Sequence, residues 1–436
     1  MLKKHTRILI GVGCVVLLLV SWIIAISSKS DAEKQVELMR QAAELTKDGV
    51  YILATPLLEE AAGYSAAHTL TAENELKRAY LELMNNSGYR QKYLDLLVKQ
   101  MNDKNALPDV FEEAANYYFS ITRIPDALSI LKTGIEKTGD AGLVKIYEDK
   151  RYAYKASSFA YDYVAEIAGS AVQVQADGLW GLAGAEGVII ISCQYDKIST
   201  FCDGRAIVKK NGEIYSIDSN NNRLAKLHED ATDFGNYADH RVPLQIDGLW
   251  RRSTGDFQIG ENAFQDIGMY CGGYAAAKSG GRWGVVNLDM EWLLTPEYDG
   301  IIQDELGRCY AQGAVFVRQG GEIYLFAGGI WTGGVYEDAC PFSDEGFAAV
   351  KKNGKWGFID ATGTEMIDFA FDDARSFGQH LAAVKIGGLW GYASLSGKVA
   401  IVPSFLEAKS FSGGSAPVLT ERGWQFITLL ENNERE

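Results

Sequence analysis

The chain has 436 residues, 42 of them Lys or Arg and 57 Asp or Glu, for a formal net charge of −15. Such a surface is not built to neutralise phosphates, which sets nucleic acid aside as a partner, and a hydrophobic share of 47% excludes wholesale disorder. Residues 171–436 hold 37 of the 46 Gly and eight of the nine Trp, so two different kinds of protein are joined in a length that allows about three domain-sized units.

The first unit, residues 1–30, reads as a cytoplasmic tip and a transmembrane signal anchor. Ile8 to Ile26 carry no charge over 19 residues, which as a helix spans about 28 Å against a hydrocarbon core of about 30 Å. Lys3, Lys4 and Arg7 precede it. Positive-inside logic then predicts a single-pass cell-membrane protein with a cytoplasmic N-terminus and an extracytoplasmic bulk. The competing reading, a cleaved signal peptide, needs a shorter apolar stretch and a small-x-small site, which Ala25 and Ser27 supply only weakly.

Residues 31–168 show apolar spacings of three and four, which predict helices. Val36, Met39 and Ala43 open the pattern; Leu53, Leu57 and Ala61, then Leu76, Ala79 and Leu81, continue it. Later stretches run through Tyr93–Met101, Val110–Tyr118, Ala127–Ile135 and Leu143–Tyr154, with an eighth around Tyr161 to Ile167. Helices of about 12–18 residues with short breaks describe a stacked hairpin array. The stretch Asp126 to Ile135, after Ala114-Ala115-Asn116-Tyr117-Tyr118-Phe119, looks like a degenerate tetratricopeptide repeat; a non-repetitive helical bundle is the alternative.

Residues 171–436 repeat. Gly-x-Trp-Gly cores stand at 178–181, 281–284, 354–357 and 388–391, with degenerate copies between them. The anchors Trp180, Ile214, Trp250, Trp283, Ile323, Trp356, Trp390 and Trp424 are separated by 34, 36, 33, 40, 33, 34 and 34 residues, a period that only a repeat architecture maintains. An alternating strand precedes most anchors, joined to them by turns such as Asn211-Gly212 and Asn353-Gly354; Asn-Gly between strands signals a type I′ hairpin. A further strand follows, as in 188–196, 292–300, 365–373 and 399–407, so each of about seven to eight units is expected to hold three strands.

Asn353-Gly354-Lys355-Trp356-Gly357-Phe358-Ile359-Asp360 resembles the bacterial WG-repeat (KWG-repeat) family. The resemblance covers about 250 residues and implies a binding or scaffold module with no shared catalytic residue. Four units depart from the motif, at Ile214, Ile323, Arg251 and Gln425. The expected fold is therefore multidomain α plus all-β: an N-terminal transmembrane helix, an α-helical hairpin repeat array, and a β-repeat array of three-stranded units. The β array would close as a propeller-like ring or stay an open β-solenoid. Ala171–Gln175 matches a pre-anchor strand and Trp424–Leu429 an anchor strand with nothing after it, the register with which chain ends complete a propeller blade; a blade usually has four strands, which counts against the ring.

The anchors Trp180, Trp250, Trp283, Trp356, Trp390 and Trp424 are expected to pack the seams between units, with the following Gly making room. Read as outward platforms they would instead stack on sugar rings, which Ile at 214 and 323 could not do. No catalytic, cofactor-binding or metal-ligating set is expected. The five His are dispersed. Asp218-Ser219-Asn220-Asn221-Asn222 has calcium-loop spacing but Arg223 where that loop needs Gly, and Asp196, Asp299 and Asp372 recur once per unit, which fits turn capping. Cys193, Cys202, Cys271, Cys309 and Cys340 form no C-x-x-C pair and read as mostly reduced, with room for one disulfide. The functional expectation is a membrane-anchored extracytoplasmic scaffold without catalysis or cofactor, holding a protein or a cell-envelope partner. The alternatives are a cell-wall glycan-binding module and a hydrolase with a site in the β-array cleft.

Overall fold

The computed structural model describes residues 30–254 and 258–431. Its contacts divide the chain into a helical unit ending at Asp149 and a β unit beginning at Lys150.

The helical unit contains α1 (Asp31–Lys47), α2 (Tyr51–Gly63), α3 (Thr69–Glu82), α4 (Ser87–Asn102), α5 (Pro108–Ser120), α6 (Ile124–Thr138) and α7 (Ala141–Lys150). Local chemistry sets several ends. A capping box at Ser30 and Glu33 starts α1, Pro108 and Pro125 sit in the first turns of α5 and α6, and Gly139 ends α6 at φ +65°. Consecutive helices pack as hairpins around Leu58, Leu76, Leu97, Phe111, Leu128 and Leu131. The buried Gln35 ties α1 to the turn after α2: its amide nitrogen donates to the carbonyls of Ala61 (3.0 Å) and Tyr64 (2.9 Å), and its oxygen accepts from His68 N–H (3.0 Å). A Cβ on Gly134 would stand 2.7 Å from the Phe111 side chain, so α5 and α6 approach closely there. The eighth apolar stretch is not a helix: Tyr163–Val164 is a strand of the β unit, because its apolar residues face a neighbouring sheet.

The β unit is a ring of eight antiparallel four-stranded sheets, a β-propeller. Blade one runs from Tyr163–Val164 through Val172–Ala176 and Leu179–Ala183 to Ile189–Tyr195. Blades two to seven repeat this order to Val399–Phe405. Blade eight takes Glu407–Ala408, Ser415–Thr420 and Gly423–Leu429, and its outer strand comes from the other end of the unit, Tyr154–Ala156. Tyr154 faces Leu429 and Ala156 faces Ile427. Each hydrophobic cluster of the ring's seams spans two neighbouring blades. The one between blades eight and one joins Trp424 and Phe426 to Val164, Val172 and Ala183, which closes the circle.

These observations correct the fold class expected from sequence. Units are four-stranded, because a two-residue strand such as Lys197–Ile198, Asp338–Ala339 or Asp373–Ala374 is too short to show an alternation. The array is a closed ring and not an open β-solenoid, because residues 154–156 supply the missing strand. No helix among the described residues is long and apolar enough to cross a membrane, so the transmembrane helix is absent from the described fold; Ile8 to Ile26, where it was expected, lie outside the described residues.

Local physics explains the repeated motif. The hairpin turns carry positive φ at both central residues: Asn211 +52° and Gly212 +82°, Asn353 +53° and Gly354 +75°, the type I′ geometry. The Gly after each anchor Trp has a different cause. In blades one, four, six and seven the outer strand bulges opposite it: Trp356 pairs with Phe371 and Phe358 with Ile367, so three outer residues face Gly357 alone. A Cβ on Gly181, Gly284 or Gly391 would strike the carbonyl oxygen of Ile191, Leu294 or Ile401, and on Gly357 it would lie 2.8 Å from that of Ile367. Where the Gly is replaced, Arg251 pairs directly with Ala263 and Tyr324 with Val335, and the bulge moves on by one residue. Replacing Gly391 with Ala should therefore lower stability by about 1–3 kcal/mol, the usual cost of overpacking, as a shift in urea midpoint without a change in m-value.

Candidate functional site

The repeat anchors sit in the seams. Trp356, Trp390 and Trp424 are buried, Trp180, Trp250 and Trp283 half-buried, and Ile214 and Ile323 buried at the equivalent places. Most anchors face an aromatic residue on the outer strand: Trp180 opposite Tyr195, Trp283 opposite Tyr298, Trp390 opposite Phe405. Several anchor rings are covered by the chain's own cations, Arg375 standing 4.8 Å from the Trp390 ring centre and Lys409 5.0 Å from that of Trp424.

The recurring carboxylates are occupied by backbone. Asp196 accepts from Asn211 N–H (2.9 Å), Asp299 from Gly320 N–H (2.8 Å) and Asp372 from Gly387 N–H (2.8 Å), each tying the end of one outer strand to the next blade's hairpin. The Lys355 ammonium and then the Gly387 N–H hold the Asp372 carboxyl below its ordinary range. Asp218 accepts from the N–H groups of Asn220 and Asn222 within its own turn. Among the described residues no group of three or more His, Cys, Asp or Glu is placed to hold a metal ion, and Cys193, Cys202, Cys271, Cys309 and Cys340 are free thiols. Burial pushes the Cys309 and Cys340 thiols up to about 12, away from nucleophilic chemistry.

Charged groups that sequence reasoning did not single out converge in the ring's channel. The connection after Gly300–Ile301 in blade five is longer than its counterparts, and residues 303–307 cross the channel as a plug. An Asx turn shapes it: Asp304 accepts from Leu306 N–H (3.0 Å) and Arg308 N–H (2.9 Å) and pairs with the Arg308 guanidinium (2.5 Å). Four other blades grip the plug. Glu305 accepts from the Tyr163 hydroxyl (2.7 Å), from Glu166 N–H and from the buried Lys409 ammonium. Asn236 donates to the Leu306 carbonyl (3.1 Å), and Met269 N–H to that of Gly307 (3.0 Å). Gln303, Asp304 and Glu305 form a wall shared by two cavities, of about 670 Å³ and about 560 Å³. The smaller is polar, with Glu166, Arg308 and Arg375 among its lining. Burial, and then the neighbouring Glu305 carboxylate, push the Glu166 carboxyl up to about 7. The sequence signal for the plug was present: the 40-residue interval from Trp283 to Ile323.

The helical unit has its own concavity, a groove of about 990 Å³ along α3, α4 and α5. Leu81, Met84, Tyr93, Tyr117 and Ile121 supply its apolar lining and Asp109, Glu112 and Glu113 its acidic side. Glu113 is engaged by Lys77 and by the Tyr93 hydroxyl (3.0 Å). Arg90 donates to the Met84 carbonyl (3.2 Å).

Comparison with known proteins agrees with the motif. The family described as "WG containing repeat" matches residues 180–213, 283–321, 328–356 and 356–390, so WG repeats are present in this part of the chain. No curated protein matches the chain. Among solved structures, Kluyveromyces lactis Hsv2 is 8% identical over 60% of this chain and 94% of its own, with a TM-score of 0.34. A eukaryotic initiation factor is 10% identical over 64% and 88%, with a TM-score of 0.39. YCF48 bound to a D1 peptide is 12% identical over 64% and 99%, with a TM-score of 0.32.

The plug makes stability depend on pH. Glu166 titrates near 7 in the folded ring and near 4.5 when unfolded, so over this window the folded state binds the extra proton. Stability contributed by this group is complete below about pH 4.5 and is lost as pH rises to about 7. Glu166→Gln should flatten that part of the melting-temperature profile. Lys409→Met, which leaves the exposed Glu305 carboxylate without its ammonium, should cost about 1 kcal/mol in denaturant unfolding, the upper end for an exposed pair, because Glu305 keeps water and the Tyr163 hydroxyl.

Proposed function

We propose that the chain is a binding scaffold and not a catalyst, and that its helical groove holds a segment of a protein partner. The observation that carries this reading is the groove along α3–α5. Its apolar lining offers anchor pockets of the kind that peptide segments fill. Among the described residues its lining sets three carboxylates, Asp109, Glu112 and Glu113, against one cation, Arg90, so the groove is net acidic. The favoured occupant is therefore a segment with apolar side chains flanked by basic ones. The non-catalytic part of the reading draws on the fate of the recurring carboxylates: Asp196, Asp299 and Asp372 are consumed in capping turns. The propeller supports the same reading as a rigid platform, since each blade is locked to two neighbours.

Selection of a random peptide library on the full chain tests this. Binders should combine apolar and basic residues, and Leu81→Asp, an exposed position at the groove, should weaken them about tenfold or more at unchanged melting temperature. Selected peptides that bind the Leu81→Asp and Glu112→Arg variants as tightly as the parent would sink the assignment.

A further inference from the structure

Trp331 lies outside the anchor positions and is 46% exposed. It stands on the outer strand of blade five, Ile330–Tyr336. The five seven-residue outer strands align through their last residue, which faces the anchor: Tyr195, Tyr298, Tyr336, Phe371 and Phe405. Two residues before that point, four of these strands carry a side chain, Cys193, Pro296, Phe369 or Pro403, whereas blade five has Gly334. In blade six that side chain lies over the anchor's Gly, Phe369 Cγ standing 3.0 Å from where a Cβ would be, and in blade seven the Pro403 backbone nitrogen lies 2.7 Å from the same point. Blade five reverses the arrangement, with Tyr324, paired with Val335, in place of the anchor's Gly, and with Gly334 where the Tyr336 ring takes the space a Cβ would fill. Gly333, at φ +79°, has nothing within 4 Å of where its Cβ would stand.

The reversal opens a cleft of about 350 Å³ at the seam of blades four and five, walled by Tyr298, Tyr324 and Trp331 and edged by Gln319. The Trp331 ring is fixed by Phe326 and Tyr298, with centroids 5.2 and 5.8 Å away. Negative charge borders it. The Tyr324 hydroxyl donates to Glu322 (2.6 Å), and burial, then the neighbouring Glu297 carboxylate, hold the Tyr298 phenol above its ordinary pKa. Among the described residues no Lys or Arg lines the cleft. Elsewhere in the ring the chain's own cations lie against the aromatic rings of the seams: Lys278 stands 5.8 Å from Trp283, Lys385 5.9 Å from Trp390 and Lys210 5.3 Å from Tyr195. Among the described residues no cation covers Trp331.

We propose that this cleft is a binding site for a basic side chain, a lysine ammonium or arginine guanidinium, presented by a partner protein. The aromatic faces attract the cation through their quadrupoles, and Glu322, held by the Tyr324 hydroxyl, supplies the complementary charge. The site belongs to the propeller alone and does not depend on the helical groove.

The test uses the full chain with indole nitrogen-15 labelling, the Trp331 signal being assigned by its loss in Trp331→Phe. Acetyl-Gly-Arg-Gly-amide and acetyl-Gly-Lys-Gly-amide should shift that signal; acetyl-Gly-Gln-Gly-amide and methyl β-glucoside should not. Glu322→Gln should weaken the shift-derived affinity by about threefold, as expected for a partly exposed cation site, and rising salt should act in the same direction. Should Trp331→Phe disturb folding, Tyr324→Ala and Glu322→Gln carry the comparison. The assignment is overturned if the cationic peptides leave the signal unmoved, if the glutamine peptide or the glucoside moves it equally, or if neither second-line variant weakens binding.

Discussion

The β unit depends on one pairing, the antiparallel ladder between Tyr154–Ala156 and the last strand, Gly423–Leu429. An open array of blades leaves an apolar sheet face exposed to water at each end. Completing blade eight with a strand from the start of the unit lets the two end faces cover each other. It also brings Trp424 and Phe426 against Val164 and Val172, so the first and last blades form a seam of the same kind as the others. The contacts of Tyr163, Glu166 and Lys409 that hold Glu305 depend on that closure, because they come from blades one and eight.

Closure has a second consequence. Near the axis eight sheets converge, and the strands before the anchors carry small side chains there: Ala275–Ala277, Ala348–Ala349 and Ala382–Ala383, all buried. Large side chains are kept for the wider outer part of each seam, where the anchor Trp and its facing aromatic lie. The outer strand is longer than its partner and takes up the excess in a bulge. The Gly after the Trp is the room that bulge needs, which is why the motif pairs the largest side chain with the smallest residue. The inserted residues of blade five use the remaining space, crossing the channel and bringing Glu305, Lys409, Tyr163 and Glu166 together from three blades that are distant in sequence.

The two proposed binding surfaces differ in physical character. The groove of the helical unit is a shallow apolar concavity with acidic residues on one side, suited to an extended segment. The cleft beside Trp331 is small, aromatic and specific to one blade. It arises where the repeat breaks its own rule, with Tyr324 in the place of the glycine and Gly334 in the place of the bulky residue. Departures from a repeat of this kind are informative because the remaining blades state what packing alone requires.

Much of this was legible in the residues. The 35-residue period, the Asn-Gly hairpins and the anchor strands follow from local patterning, because turn geometry and alternation are encoded within a few neighbours. The helices from Asp31 to Lys150 follow from apolar spacing in the same way. The two-residue inner strands were not legible, since they exist only by pairing with a longer neighbour and have no periodicity of their own. Nor was the role of residues 150–170: Tyr161 to Ile167 has the apolar content of a helix and becomes strand because the open edge of blade eight and the seam of blade one recruit it. The extra length between Trp283 and Ile323 was visible as a number, but only closure of the ring placed that loop inside a channel. By itself the sequence determined the repeat, its turns and its anchors, all set by short-range sterics and hydrophobic alternation. The tertiary structure alone decided ring against solenoid, the blade count of eight and the meeting of Glu305 with Lys409, because each depends on contacts between residues more than a hundred positions apart, which no local pattern records.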